Sequence, residues 1–390
     1  MPMADVAIPR GDAVALTRAL VAIDSRNPAL VAGAPGEGPV ARVLADVLRA
    51  WGMRVEVYDA LPGRPNVVAR AGRAGARALM FNGHLDVVGT DGMTHAPFIP
   101  EVRGPRLYGR GSTDMKGGIA AMCAAAALVD DAALDAEVIV AAVIDEEEAS
   151  AGTRVLLERG VRAEMAIVTE PTELAVMPAH RGFVWIEIVV EGRAAHGSRH
   201  DLGVDAIRHA GLLLAELDAH EERVLGTRLH PLLGRASLHA SHVHGGIGMS
   251  TYPDRCTLSI ERRTIPGETT ADALREVESA IERVRARRPA MRASARVLLA
   301  QGPSDVAVDA PVVRALSDAL RTEGETVRVE GMSAWTDAAL LNDAGIPAVC
   351  FGPGDIKLAH AAEEWIEIGE IERATAVLTR LARQFGAGVV

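Results

Sequence analysis

The stretch AEVIVAAVIDEEEASAG occupies residues 136–152. Its first nine residues are almost unbroken apolar and read as a strand buried on both faces. Four acids follow directly: Asp145, Glu146, Glu147 and Glu148. A charge run of this kind is ordinarily a solvated loop. At the end of a buried strand, however, carboxylates stand on the edge where α/β proteins place their chemistry. Residues 136–152 therefore predict a largely parallel α/β sheet and a carboxylate-bearing site at the end of one of its strands.

The neighbouring sequence fits that frame. Residues 12–24 and 39–51 carry helical apolar spacing, and RALMFNGHLDVVG (77–89) reads as a strand ending at His84. GGIAAMCAAAALV (117–129) is an Ala-rich buried helix, GTRVLLERG (152–160) a helix closed by glycine, and EMAIVTEPT (164–172) a short strand. Strands alternating with helices predict parallel pairing. The character changes near residue 181. Strand-like FVWIEIVVEG, DRCTLSIERRT and MRASARVLL alternate with two long amphipathic helices over 203–224 and 269–287, as in a ferredoxin-like unit. After about residue 296, helices at 310–323, 335–344 and 370–385 and the strand AVCFGPG bring the α/β pattern back. The expected organisation is a main domain from 1–180 and 296–390, with an inserted domain over 181–295.

Bulk properties narrow the partners. A chain of 390 residues exceeds a single ordinary core, and its formal net charge of −11 disfavours nucleic acid or an anionic membrane as the main partner. No leader pattern is visible at the start and no segment is long and apolar enough to span a bilayer. Cys123, Cys256 and Cys350 are too scattered for a disulfide framework or a thiolate metal motif, and a reducing cytoplasm suits them.

Five segments concentrate chemistry: GHLD with His84 and Asp86, GRGSTDMKGG with Asp114, DEEE with Glu146 and Glu147, TEPTE with Glu170, and LAHAAEE with His360. Two imidazoles among several carboxylates, without cysteine, form a hard mixed ligand set suited to Zn²⁺, Co²⁺ or Mn²⁺. Period 2 places Asp86 beside His84, where its carboxylate would hold the far ring nitrogen. On an extended backbone Glu146 and Glu147 would point apart, so that one binds and the other faces water. GRGSTDMKGG lacks the spacing of a phosphate-binding P-loop. Taken singly, a histidine of this kind is more often a satisfied core residue than a ligand, and DEEE a solvated loop; the ordered set is what carries specificity.

In that order the segments resemble the co-catalytic metal family of acetylornithine deacetylase, succinyl-diaminopimelate desuccinylase, aminoacylase and bacterial glutamate carboxypeptidase. The resemblance covers essentially the whole chain, with GRAAHGS (192–198), RRTIPGE (262–268) and FGPG (351–354) matching further motifs. It implies an α/β catalytic domain with a mainly parallel sheet and an inserted ferredoxin-like lid or dimerisation domain. It implies two divalent ions, Zn²⁺ first with Co²⁺ or Mn²⁺ as alternatives, bridged by Asp114. His84 and Glu170 would complete one shell, Glu147 and His360 the other. Glu146 would be the general base, Asp86 the orienter of His84, and His196 an oxyanion donor reaching in from a second subunit of a homodimer. Arg263 would clamp the substrate carboxylate. Ser250 stands where relatives often have asparagine, in GGIGMSTYPD; in LHASHVHGG, period 2 could pair His242 with His244, but relatives have no metal ligand there and His244 is read instead as facing substrate. Glu148, where relatives often have a small residue, reads as a carboxylate on the surface or behind the ligands, and the resemblance also implies a cis bond after Asp114. The activity implied is hydrolysis of an N-acylated amino acid or short peptide. A dipeptidase or carboxypeptidase is the alternative within the family, and a non-catalytic binding protein the alternative outside it.

Overall fold

The computed structural model describes residues 7–129 and 134–389; the leader-free reading of residues 1–6 lies outside them. The chain divides into two compact units, one of residues 1–178, 306–330 and 336–390, the other of 179–305 and 331–335.

The first unit is built on a sheet in the order 54–61, 64–72, 137–143, 78–84, 165–168, 348–350. The central strands run parallel, with His84 opposite Val143, Asn82 opposite Val168, and Cys350 opposite Val168. Glu137–Val143 and Met165–Val168 are buried at every residue, as continuous apolar strands sandwiched by helices must be. Parallel pairing in this register brings His84, the turn after Val143 and the turn after Val168 to one edge of the sheet. The sequence passes over the antiparallel hairpin Arg54–Leu61 and Arg64–Gly72 that closes the far side. Its first strand is part-exposed along its whole length, so no clean apolar face marks it.

Gly117–Ala127 is buried all round and packs against the closing helix Ile368–Gly386 and the first helix Ala13–Val21. Its glycines permit close approach: a Cβ on Gly118 would lie 2.0 Å from the Thr169 carbonyl oxygen, beside Glu170. Gly118→Ala is therefore expected to destabilise the protein by about 1–3 kcal/mol, because backbone rather than a flexible side chain must yield. Chemical denaturation checks this, and an unchanged midpoint would contradict the close packing.

The second unit has its own core and an antiparallel sheet in the order 237–245, 255–264, 182–191, 292–301. Helices Ala206–Arg223 and Thr270–Arg287 complete a βαββαβ unit with ferredoxin-like strand order. Strand Arg292–Gln301 carries this unit past residue 295, where the sequence predicts the return to the first. Among the described residues no helix is long and apolar enough to cross a membrane.

Candidate metal centre

The segments singled out in the first unit converge at the strand ends. His84 closes its strand and is buried to 1% exposure. Its Nδ1–H donates to the backbone carbonyl of Asp86 at 3.0 Å, which leaves the Nε2 lone pair turned inward in the neutral ring. Nε2 lies 3.1 Å from Asp114 Oδ1, 3.8 Å from Glu170 Oε1 and 3.9 Å from Glu146 Oε2. On the other side, His360 Nε2 lies 3.4 Å from Asp114 Oδ2 and 3.0 Å from Glu147 Oε2. Asp114 thus offers one oxygen to each imidazole. His84, Asp114 and Glu147 form one group whose ligand atoms converge within 4.8 Å, and His84, Glu146 and Glu170 another.

The Asp86 carboxylate does not perform the task the sequence predicts for it. Its nearer oxygen is 3.7 Å from His84 Nδ1, which is already bonded to the Asp86 carbonyl. Instead Asp86 accepts the backbone N–H groups of Glu146 and Glu147, each at 3.2 Å, and the Asn27 side-chain amide at 2.9 Å. The same Asn27 amide reaches Asp145, which is paired with Arg64. Nor is the DEEE segment extended: Asp145 has φ +68° and the acids sit on a turn. It is the turn, pinned by Asp86, that sends Glu146 toward His84 and Glu147 toward His360. Glu148 lies on the same turn, partly exposed.

Glycine opens the Asp114 loop as well. Gly111 has φ +79°, a Cβ there would lie 2.6 Å from Val87 Cγ1, and Asp114–Met115 is the cis bond the resemblance implies.

The electrostatics are those of crowded anions. Burial pushes Glu170 up to about 8, reinforced by Asp114, Glu147 and Asp337 and opposed by His84. Burial likewise raises Glu146 and Glu147, Glu146 well above the ordinary carboxylate range. Burial works against ionised Asp114 too, yet hydrogen bonds with His360 and His84 hold it low. Bonds to Asp114 and Glu147 lift His360 to about 10. Burial opposes a charge on His84, but the Asp114 bond and the charges of Glu170 and Glu146 raise it well above its usual value. The upward shifts of imidazoles and carboxylates alike mark a crowd of negative charge that a cation would relieve. Glu147 Oε1 and Glu170 Oε1 are buried without a hydrogen-bond partner. Unpartnered carboxylate oxygens are costly unless a cation faces them. The donor set fits divalent ions.

Three supporting residues escape sequence reasoning. Asn27 anchors Asp86; Asp337, pushed up to about 6 by burial, accepts from Thr153 at 2.6 Å; and Glu364 accepts backbone N–H groups of the Asp114 loop. Only the acid at the end of LAHAAEE hinted at the last.

The second unit holds the other residues singled out. His196 is exposed and bridges Thr251, and Gly197 N–H donates to the Ser250 carbonyl at 2.7 Å, so His196 and Ser250 are neighbours. Ser198 N–H donates to His196 Nδ1 at 3.2 Å, so Nε2 carries the proton in the neutral ring. Arg262 is buried and paired with Glu268 and Glu276, a structural role, while Arg263 lies over the Phe183 ring and pairs with Glu261. Arg263 is not beside His196. Thr251 precedes the strand that starts at Arg255, and Arg263 lies eight residues along it, about 26 Å away at the usual rise. His244 pairs with Thr257 near the start of that strand, also far from Arg263, and stacks on His242.

The profile of peptidase family M20/M25/M40 matches residues 80–384. An acetylornithine deacetylase of Myxococcus xanthus is 34% identical over 336 residues, covering 85% of this chain and 86% of the relative. An N-formyl-4-amino-5-aminomethyl-2-methylpyrimidine deformylase of Bacillus subtilis is 28% identical over 368 residues, covering 86% of each. Among solved structures, a tripeptidase of Staphylococcus aureus superposes with a TM-score of 0.81 at 18% identity, over 98% of this chain and all of the other. A dinuclear metal-binding peptidase of Bacillus subtilis superposes with a TM-score of 0.73 at 18% identity, over 96% and 97%. These two likenesses concern the fold.

Proposed function

The chain belongs to peptidase family M20/M25/M40, a family of metal-dependent amide hydrolases, and on that premise we propose that it removes the acyl group from a small N-acylated amino acid. The observation that carries this reading is Asp114 placed between His84 and His360, with Glu146 alongside. Sequence relatives named for deacetylation and deformylation support an acylated substrate over a plain peptide. A dipeptidase or carboxypeptidase using the same centre is the second reading, in keeping with a family described as peptidases.

His84, Asp114 and Glu170 are assigned to one divalent ion, and Asp114, Glu147 and His360 to a second, Zn²⁺ foremost with Co²⁺ or Mn²⁺ as alternatives. Such ions supply positive charge that polarises the amide carbonyl and makes water more acidic. Glu146 takes the proton of the attacking water and returns one to the leaving nitrogen. Asp86 keeps Glu146 and Glu147 in register through their amide N–H groups. Arg263 presents a forked guanidinium to the substrate carboxylate. His196, with Ser250 and His244, is assigned to the substrate of a partner chain in a homodimer, and the distance of Arg263 from His196 supports dividing these contacts between two copies. The Nε2–H tautomer of His196 suits donation to the oxygen that gains charge as the carbonyl is attacked. Three free, buried cysteines support a cytoplasmic setting.

Purified enzyme loaded with Zn²⁺ or Co²⁺ is to be assayed on acetylornithine, succinyl-diaminopimelate, N-acetyl amino acids and dipeptides. Higher kcat/KM on the acylated amino acids supports the deacylase, the reverse order the peptidase, and no turnover on any of them a binding protein.

The division between copies has its own test. His196→Ala and Glu146→Ala are each expected to be nearly inactive, His196→Ala by about 10²–10³-fold in kcat. A purified heterodimer of the two, tagged differently, is expected to regain on the order of half the wild-type turnover, since one of its two sites is intact. Activity no higher than either parent's would show that His196 works within its own chain or not at all.

A further inference from the structure

His360 reaches the metal centre on a loop, and the way that loop is tied to the Asp114 loop rests on one buried acid. Glu364 is fully buried. Its Oε1 accepts the backbone N–H of Thr113 at 3.0 Å and of Asp114 at 3.2 Å. Its Oε2 accepts Gly111 N–H at 3.0 Å and Arg110 Nη1 at 2.7 Å. Both oxygens are therefore spent on donors from the Asp114 loop. The backbone of Glu364 is held as firmly: its N–H donates to His95 Nε2 at 3.2 Å, and its carbonyl accepts Gly109 N–H at 3.2 Å. Four residues upstream, His360 sits at φ +59° with Nε2 between Asp114 Oδ2 and Glu147 Oε2. His84 closes a strand and Glu170 follows one, so neither lies on the loop that carries His360, although His84 also meets Asp114 at 3.1 Å.

We propose that Glu364 is the positioning residue that fixes the spacing between Asp114 and His360, and that its loss selectively weakens the ion assigned to Asp114, Glu147 and His360. This rests on the two-ion assignment above. Buried groups that orient metal-binding side chains typically contribute 10–100-fold in metal affinity. A chain that only needed the loop filled would accept an amide here. The four donors do not: Glu364→Gln must turn its NH₂ toward either Arg110 and Gly111 or Thr113 and Asp114.

Zn²⁺ is titrated calorimetrically into the full metal-free chain, and Co²⁺ binding is followed by its visible absorption. The wild-type chain is expected to bind two ions. Glu364→Ala is expected to bind the first as wild type does and the second about 10–100-fold more weakly, with an altered Co²⁺ spectrum for the second equivalent only. Glu364→Gln, which keeps the shape and serves if the alanine variant does not fold, is expected to lose about tenfold at the same step. Two unchanged affinities, or two affinities weakened alike, would overturn the role of Glu364. A wild-type chain that takes up neither Zn²⁺ nor Co²⁺ would overturn the ion assignment itself, and this inference with it.

Discussion

Glu146→Gln is expected to lower kcat by about 10²–10⁴-fold while leaving metal content at the wild-type level. The glutamine keeps the size of the side chain and leaves the backbone N–H that binds Asp86 untouched. What it loses is the capacity to take and return a proton. Glu147→Ala is the companion variant: its carboxylate faces His360 at 3.0 Å and has a buried oxygen without a partner, so its loss should lower metal occupancy. Turnover and elemental analysis on both variants decide the matter. Should Glu147 carry the turnover defect and Glu146 the metal defect, the assignment of the two is off by one residue. That outcome has a physical route, because Glu146 also lies among the groups converging on His84.

The second large effect belongs to Asp114→Ala. Asp114 gives one oxygen to His84 and the other to His360, and both imidazoles are held above their usual range partly by that contact. Removing it leaves two histidine-centred groups with no common carboxylate. Loss of both ions and a fall in activity of more than about 10³-fold are expected. Chelation of the wild-type enzyme should have the same effect, reversed by Zn²⁺, Co²⁺ or Mn²⁺, whereas Asp114→Ala should stay inactive under the same additions. Full turnover in a wild-type preparation shown by elemental analysis to be metal-free would defeat the assignment.

Much of this centre was legible because its residues sit where local pattern is strong. The apolar run ending at Val143 and the strand ending at His84 announce themselves by composition, and parallel pairing then aligns their ends. That alignment brings His84 together with the acids after Val143 and Val168, whereas Asp114 and His360 stand on loops, and their place beside these groups was implied by the family resemblance alone. What was not legible depends on partners without local spacing. Glu364 meets Asp114 across 250 residues, and Asn27 meets Asp145 across 118. Asp86 was placed correctly beside His84, yet its carboxylate turned to two backbone amides and the Asn27 side chain, since its own backbone carbonyl had already satisfied the ring. Period-2 reasoning says which side a residue faces; it does not say which of its acceptors wins.

The exposure of His360 has a kinetic consequence. Its side chain is 54% exposed, whereas those of His84 and Glu170 are 1% and 5% exposed. An incoming water or chelator can approach the His360 side, and the His84 side is walled in. With ions held as proposed, exchange is expected to be faster beside His360 than beside His84. Isotopically labelled Zn²⁺ is then expected to turn over first beside His360 and more slowly beside His84.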